Sequence, residues 1–599
     1  MPLIPRLPPL LVILGLYFFL VGTLVYRDAT RRGMDPWLWA TAASRNRCAR
    51  TPRVDTSLEA RLHSSIVIEE AAVNLASYAH PAMVGRAAGR DERAWDLTVL
   101  LLMAAGTVLR VLALGQQSYW VDEIRSVLIA QGGAGNEWGY SVWNIHGPLH
   151  LVLLRLWMML FGNGEATTRA LSVIFGVAAF PLFYRAALPV IGARAARFAL
   201  ALLVFSPFHL WYSQETRNYA MLFDVTLVAV PLYLAEIERQ SRGSLLAALA
   251  ISVVACLSNL AGFFLLGVYG VLALTLGRAH RYPWVRMIAL GLLTAVLVSP
   301  WVIQAATQMG APRLGREGMP GDAVTRGESP AGLLSVPFTF YIFSLGLSSG
   351  PSIHEMKLDR WQALRPFLPY LTAALALFLG LAVHGAWTLR RRGRAALLLG
   401  AWLVAPLALM ACLALFNLKA PNARYALASF APFLMLLGLG VAGLPPRWAR
   451  ILALGLLLAI SARADLDYFT NPRYWRPDGR SIGALLAAEQ RPGDLVVSCG
   501  VPEPLKYYAP VGLPIVPRPM SAEFERGSAA RAWLAQIASG HERLWYVKID
   551  SFWGDPKFRL LNASGGLLIP DGRWEFDKAL VARFIVPPDS VLTAAQRTR

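Results

Sequence analysis

The sequence predicts an all-α polytopic membrane bundle followed by a small C-terminal α/β domain. Two observations carry that expectation. Hydrophobic residues fill 56% of the 599 positions and charged residues only 16%, a balance foreign to disordered chains and to most soluble enzymes. The 57 Lys and Arg outnumber the 37 Asp and Glu for a net charge of +20, yet they punctuate long apolar runs instead of clustering on one polar domain. No nucleic-acid partner is expected; the charge reads as membrane topology.

Residues 7 to 26 are uncharged and long enough to cross a hydrocarbon core of about 30 Å. With no strongly basic stretch before it and no small-residue cleavage site after it, this run reads as a retained span. Further spans fall near 97–114, 170–190, 198–213, 218–235, 287–306, 367–389, 395–418, 425–444 and 450–462. Between Gly243 and Gly277 there is no charge, and one helix over that stretch would be about 52 Å long. It therefore divides in two, with Ser258 and Asn259 as the hinge. The sum is about eleven core spans plus the N-terminal one.

Two apolar stretches, 148–162 and 331–353, are placed at the outer interface as amphipathic or re-entrant segments, because a crossing by either alone would scatter the basic loops over both faces. The cytoplasmic loops then hold Arg194, Arg197, Arg239, Arg242, Arg278, Arg281, Arg286, Arg390, Arg391, Arg392, Arg394, Arg447 and Arg450. The outer segments hold Arg125, Arg155, Arg169, Arg217, Lys419 and Arg424, thirteen against six. That bias fixes the orientation. The expected domains are 1–95, an N-terminal span and cytoplasmic linker; 96–463, the membrane bundle with outer loops 115–170 and 307–366; and 464–599, on the extracytoplasmic side.

Beyond Arg463 the composition turns ordinary. IGALLAAEQ and SAARAWLAQIA read as helices, DLVVSC and RLWYVKI as strands, an alternation that suggests a small α/β unit. The four cysteines lie far apart without C-x-x-C spacing, so neither a zinc site nor a disulfide framework is implied. There is no internal repeat, P-loop or GxGxxG.

Ionisable residues at a membrane surface are costly and mark function by default. Three clusters meet that description on the outer side. SYWVDEIRS carries Asp122 beside Glu123, and two adjacent acids can shift each other's pKa and offer one carboxylate as a base. FSPFHLWYSQETRNYAM, at an outer turn between two spans, carries Glu215 and Tyr219, which if helical share a face with Tyr212, and Gln214 with Arg217 on the neighbouring face. NLKAPNARYALASFAP adds Lys419 and Arg424 with Asn422 and Tyr425, cations suited to a phosphate. Each also has an ordinary reading: a solvated loop acid, a snorkelling arginine, a lipid-phosphate contact. His146, His150 and His209 are too dispersed to define a metal site and read as interfacial hydrogen-bonding groups.

The order of the pieces says more than any one of them. A first span ending in LRVLALG, then WVDE, HGPLHLVLLRLWMMLFGNGEATTRALSVIFG and SQETRNYAM, and later SLGLSSGPS and ARYALASFAPF, resembles bacterial membrane glycosyltransferases of the GT-C superfamily. In pattern it is similar to the branch with dolichyl-phosphate-mannose protein mannosyltransferases and the lipid A aminoarabinose transferase, a glycosyltransferase family 39-like group. The resemblance covers residues 96–480 and is strongest in the first third. Residues 1–95 do not align with it, and the position after Asn259 lacks the aromatic-histidine pair often seen there.

What the resemblance implies is an inverting transfer of a sugar from a polyprenyl-phosphate-linked donor to a cell-envelope acceptor, at the extracytoplasmic face of a bacterial inner membrane. It matches Asp122, with Glu123 beside it, to the catalytic acids. Arg217 and Arg424 match the family's arginines, and Glu215, Tyr219 and Tyr425 its neighbouring residues. Beside that match, Lys419 reads as a further donor-phosphate cation, and Tyr119, Trp120, His146 and Gln214 join Glu215, Tyr219 and Tyr425 as supporting residues. A divalent ion between an acid of the DE pair and the donor phosphate stays open, as do a surface-polysaccharide polymerase or ligase and a lipid-linked sugar flippase. A flippase is expected to carry midplane charges and inverted repeats, whereas these charges gather at span ends.

Overall fold

A computed structural model describes residues 96–132, 147–309, 335–415, 422–500, 502–519, 528–549, 555 and 558–588. The N-terminal span at 7–26 and the linker to residue 95 lie outside the described residues, as do His146 and Lys419.

Among the described residues from Leu97 to Thr470 every regular element is a helix, and the described part of each expected core span falls on helices. Seven helices among the described residues are long and apolar enough to cross a membrane, or eight if Ala193–Val204 and Pro207–Ser213, bent by 56°, form one span. Leu97–Val111 and Arg242–Ser258 are apolar but shorter, and Arg447–Thr470 is long with charged residues toward both ends. The uncharged stretch divides at the expected hinge, Arg242–Ser258 giving way to a 3-10 turn at Leu260–Phe263 and then Phe264–Ala279. Asn259 makes the break: its side chain accepts from Ala261 N at 2.8 Å and donates to Asn218 Oδ1 at 3.0 Å, while Asn218 donates to Ser258 O at 2.6 Å. The backbone groups freed at the hinge are thus satisfied inside the bundle.

The stretches expected at the interface are helical too. Pro148–Phe161 has 14 residues, about 21 Å of helix and short of a full crossing. Its inner side packs Leu154 and Trp157 on Ala130 and Leu171, while Val152, Met159 and Phe161 remain exposed. Ser335–Leu345 packs Phe343 against Phe208, Phe430 and Phe433.

Helices cross where small residues let backbones meet. A Cβ on Gly385 (Leu368–Leu389) would strike the Leu436 carbonyl, and one on Gly440 (Phe430–Ala442) the Leu381 carbonyl. Gly440→Ala is therefore expected to lower the melting temperature in detergent, by an overpacking cost of about 1–3 kcal/mol. Gly455→Ala, on Arg447–Thr470 with nothing within 4 Å of the added carbon, is the control expected to leave it unchanged.

From Asn471 the chain leaves the bundle and builds a five-stranded sheet, with β1 Asp494–Cys499, β2 Ile515–Pro517, β3 Arg543–Ile549, β4 Ile569–Phe576 and β5 Ala579–Ile585 in the order β2-β1-β3-β5-β4. β1 is parallel to β2 and β3; β5 is antiparallel to β3 and β4. β1 and β3 are buried at every position, as strands covered on both faces must be. One face packs Val497 and Tyr546 on Leu534 and Ala538 of Ser528–Ala538. The other packs Val496 and Val547 on Ile482 and Leu486 of Gly479–Glu489. The IGALLAAEQ and SAARAWLAQIA helices and the DLVVSC and RLWYVKI strands thus stand where the sequence put them.

Candidate active site

The site is built at the end of the bundle where the chain leads off into the sheet. Its centre is the short helix Val121–Gln131, entered through an extended Trp120. Its third residue, Glu123, reaches back toward Trp120 N, 3.4 Å away, in the pattern of a capping box. One position earlier, Asp122 projects away from Glu123, and the two carboxylates have different surroundings.

Glu123 is fully buried. Its Oε1 accepts from Arg169 Nε at 2.8 Å and from Thr216 N at 2.9 Å, its Oε2 from Arg169 Nη2 at 2.9 Å. Arg476 stands 3.5 Å from Oε2. Burial alone would raise this carboxyl, but the guanidiniums of Arg169 and Arg476 and the donated hydrogen bonds outweigh it and hold the group down at about 2. Arg169 also gathers the preceding loop, donating to the carbonyls of Leu114 (3.0 Å), Gln117 (2.8 Å) and Ser118 (3.1 Å).

Asp122 faces the other cations. Its Oδ2 accepts from Arg424 Nη1 at 3.2 Å across 302 residues of sequence. Arg217 Nη1 donates to Asp122 O at 3.2 Å and to Ser126 Oγ at 3.0 Å. Aromatic faces hold both guanidiniums: Arg217 lies 5.8 Å from the Tyr219 ring, and Arg424 lies 5.5 Å from the rings of Tyr219 and Tyr425, within reach of a cation–π attraction. Asp122 and Arg424 keep about a fifth of their side-chain surface exposed, 18% and 20%, so this pair is accessible, with the buried Arg217 beside it.

This arrangement changes two sequence readings. Glu123 was expected beside Asp122 as a second catalytic acid that raises its neighbour's pKa; it is instead an ion-paired anchor whose charge two arginines neutralise. Among the described residues no three His, Cys, Asp or Glu side chains group as metal ligands. The SQETRNY segment is also not one helix. Pro207–Ser213 stops at Ser213 and Tyr219–Arg239 begins afresh, so the shared faces expected for Gln214 and Arg217 and for Glu215 and Tyr219 do not form. Gln214 serves as a clamp, donating to the carbonyls of Leu109, Arg110 and Leu112 and accepting from Tyr468 Oη at 3.0 Å.

Tyr212 and Tyr219 still meet, edge to face at 4.8 Å. Tyr119 is buried and donates from its hydroxyl to Asn163 O at 3.0 Å. Arg169 and Thr216 lie inside the family-like motifs but have no expected role there, and Arg476 carries no motif. Their signal was only that Arg169 is a charge near the start of an apolar span.

Glu215, in the turn between the two helices, is fully buried with neither carboxylate oxygen hydrogen-bonded. Burial pushes it up to about 7, against the pull of Arg476 and with a further push from Glu123. The raised value means the folded state prefers the neutral acid, so stability falls as pH rises from about 4.5 through 7. Glu215→Gln removes that penalty. The variant is expected to melt above the native protein at pH 8 and close to it at pH 5; a gap independent of pH contradicts the assignment.

The fold and the site together define a multi-pass membrane protein with a polar site at one end of its helical bundle. Residues 145–303 match the family described as dolichyl-phosphate-mannose-protein mannosyltransferase. The structure is similar to the crystal structure of ArnT from Cupriavidus metallidurans bound to undecaprenyl phosphate, at 17% identity and a TM-score of 0.53, covering 81% of this chain and 97% of that one. The apo form of the same ArnT gives 16% identity, a TM-score of 0.52, and coverage of 82% and 98%. No curated protein matches the chain.

Proposed function

We propose that the chain is an inverting glycosyltransferase that moves a sugar from a polyprenyl-phosphate carrier to a cell-envelope acceptor. In this reading it acts at the extracytoplasmic face of a bacterial inner membrane, with residues 96–463 as the catalytic unit and 464–599 on the same face. The observation that carries it is the approach of Asp122 to Arg424 at 3.2 Å with Arg217 hydrogen-bonded beside them. A base and two phosphate-binding cations are what such a transfer requires. The ArnT of similar fold was crystallised with undecaprenyl phosphate, a ligand of the expected carrier class.

Asp122 accepts the proton of an acceptor hydroxyl as that oxygen attacks the anomeric carbon. The bond from that carbon to the phosphate oxygen breaks, and its electron pair leaves with the polyprenyl phosphate. Attack from the side opposite the phosphate inverts the centre. The growing negative charge falls between Arg217 and Arg424, fixed by their aromatic neighbours before the reaction starts. Without donor, Arg424 is paired with Asp122. Donor phosphate competes for that guanidinium and leaves the carboxylate to the acceptor.

The test is transfer from a polyprenyl-phosphate sugar by the purified chain in lipid, with the product's anomeric configuration determined. Arg424→Gln is expected to lower kcat by about a hundredfold, the usual effect of removing one donor to a developing oxyanion. No transfer from any polyprenyl-phosphate sugar, or a retained anomeric configuration, contradicts the reading.

A further inference from the structure

The short helix that carries Asp122 is gripped from two sides, and only one of them is the membrane bundle. On the other side stands the Glu503–Tyr508 helix of the sheet region. Arg125, three residues beyond Asp122, donates through Nε at 2.9 Å and Nη2 at 2.7 Å to Glu503 Oε1. The Glu503 side chain is 5% exposed, so the contact is seated, unlike an ordinary surface ion pair.

Tyr508 Oη accepts from Tyr119 N at 2.8 Å and donates to Glu165 Oε1 at 2.9 Å, tying the entry to the Asp122 helix to the start of Glu165–Ile191. Ser118 Oγ donates to Asp478 at 3.1 Å. Tyr119, Ile124 and Val127 close an apolar patch with Tyr507 and Tyr508. Val121–Gln131 has 11 residues, too few to hold itself helical in water. Its direction is therefore set by these contacts together with those of Glu123 and Asp122 to the bundle.

We propose that the C-terminal α/β domain is a positioning element of the catalytic centre: Glu503 and Tyr508 hold the Asp122 helix in register with Arg217 and Arg424. Glu503 and Tyr508 are positioning residues that touch no reacting atom in this scheme. A loose scaffold would leave the acid misplaced, and a displacement of about 1 Å can cost a hundredfold in rate. The kinetic part of the proposal rests on the transferase reading; the conformational part does not.

The experiment uses the full chain in lipid nanodiscs, native and with Glu503→Gln and Tyr508→Phe combined. The first readout is amide hydrogen exchange over residues 118–131, with β1 and β3 as internal reference. The second is kcat and KM with a polyprenyl-phosphate sugar. Exchange over 118–131 is expected to rise at least about tenfold while β1 and β3 stay protected, and kcat to fall roughly tenfold with KM changed by less than about twofold. Native-like exchange over 118–131 overturns the proposal, and so does loss of protection in β1 and β3 in step with it. The exchange readout needs no substrate, so failure to transfer a sugar counts against the transferase reading alone.

Discussion

Asp122→Asn is expected to lower kcat by about a thousandfold, within the span of effects seen when a positioned general base is removed. The asparagine keeps the side chain's size and can no longer take a proton. Donor KM is expected to hold or fall, because Arg424, now 3.2 Å from the carboxylate, loses its competitor for the phosphate. Steady-state kinetics with donor varied at saturating acceptor separates the two effects. A variant within about tenfold of native kcat removes Asp122 as the base.

Arg169→Met is expected to be the most damaging change to the fold. Glu123 is fully buried and Arg169 nearly so, 0% and 1% exposed, and removing one partner of such a pair costs about 3–5 kcal/mol because the other charge stays buried. The same change releases the carbonyls of Leu114, Gln117 and Ser118. Little folded protein should be recovered, judged by size-exclusion profile and melting in detergent. Glu123→Gln combined with Arg169→Met is expected to cost less than the sum of the single changes, because the carboxylate that Arg169 neutralises is removed with it. Strict additivity contradicts the coupling. The ion pair's contribution is complete above about pH 4.5, the ordinary value, and is lost only as pH falls toward 2. Its effects are therefore read without interference at neutral pH.

The bundle was legible because lipid imposes simple rules: apolar runs of fixed length, arginines biased to one face, and a polar hinge where a run is too long. Ser258 and Asn259 show the last directly, since the helix breaks at that pair. The strands DLVVSC and RLWYVKI stood out by their β-branched and aromatic content. Asp122, Arg217 and Arg424 stood out as polar residues at span ends, a signal that survives without knowledge of contacts.

What escaped was what each carboxylate faces. Asp122 and Glu123 are neighbours in sequence, yet successive residues on a helix point about 100° apart, so one meets Arg424 and the other Arg169. The partners are tens to hundreds of residues away, and no local pattern announces them. The same holds for Glu503, an unremarked glutamate in VPEPLKYY that meets Arg125 only once the sheet is built. The turn at residues 214–218 was legible, since the expected spans 198–213 and 218–235 leave it between them, but the partners of Gln214 and Glu215 inside it were not.

Asp122, Arg217 and Arg424 are expected to form one donor site at a single end of the bundle, and a structure of the chain with a polyprenyl phosphate bound decides this. The phosphate is expected within hydrogen-bond distance, about 3 Å, of both Arg217 and Arg424, with Arg424 drawn off Asp122. A phosphate held at the other end of the bundle, or at this end by other cations with the Asp122–Arg424 pair intact, contradicts the account.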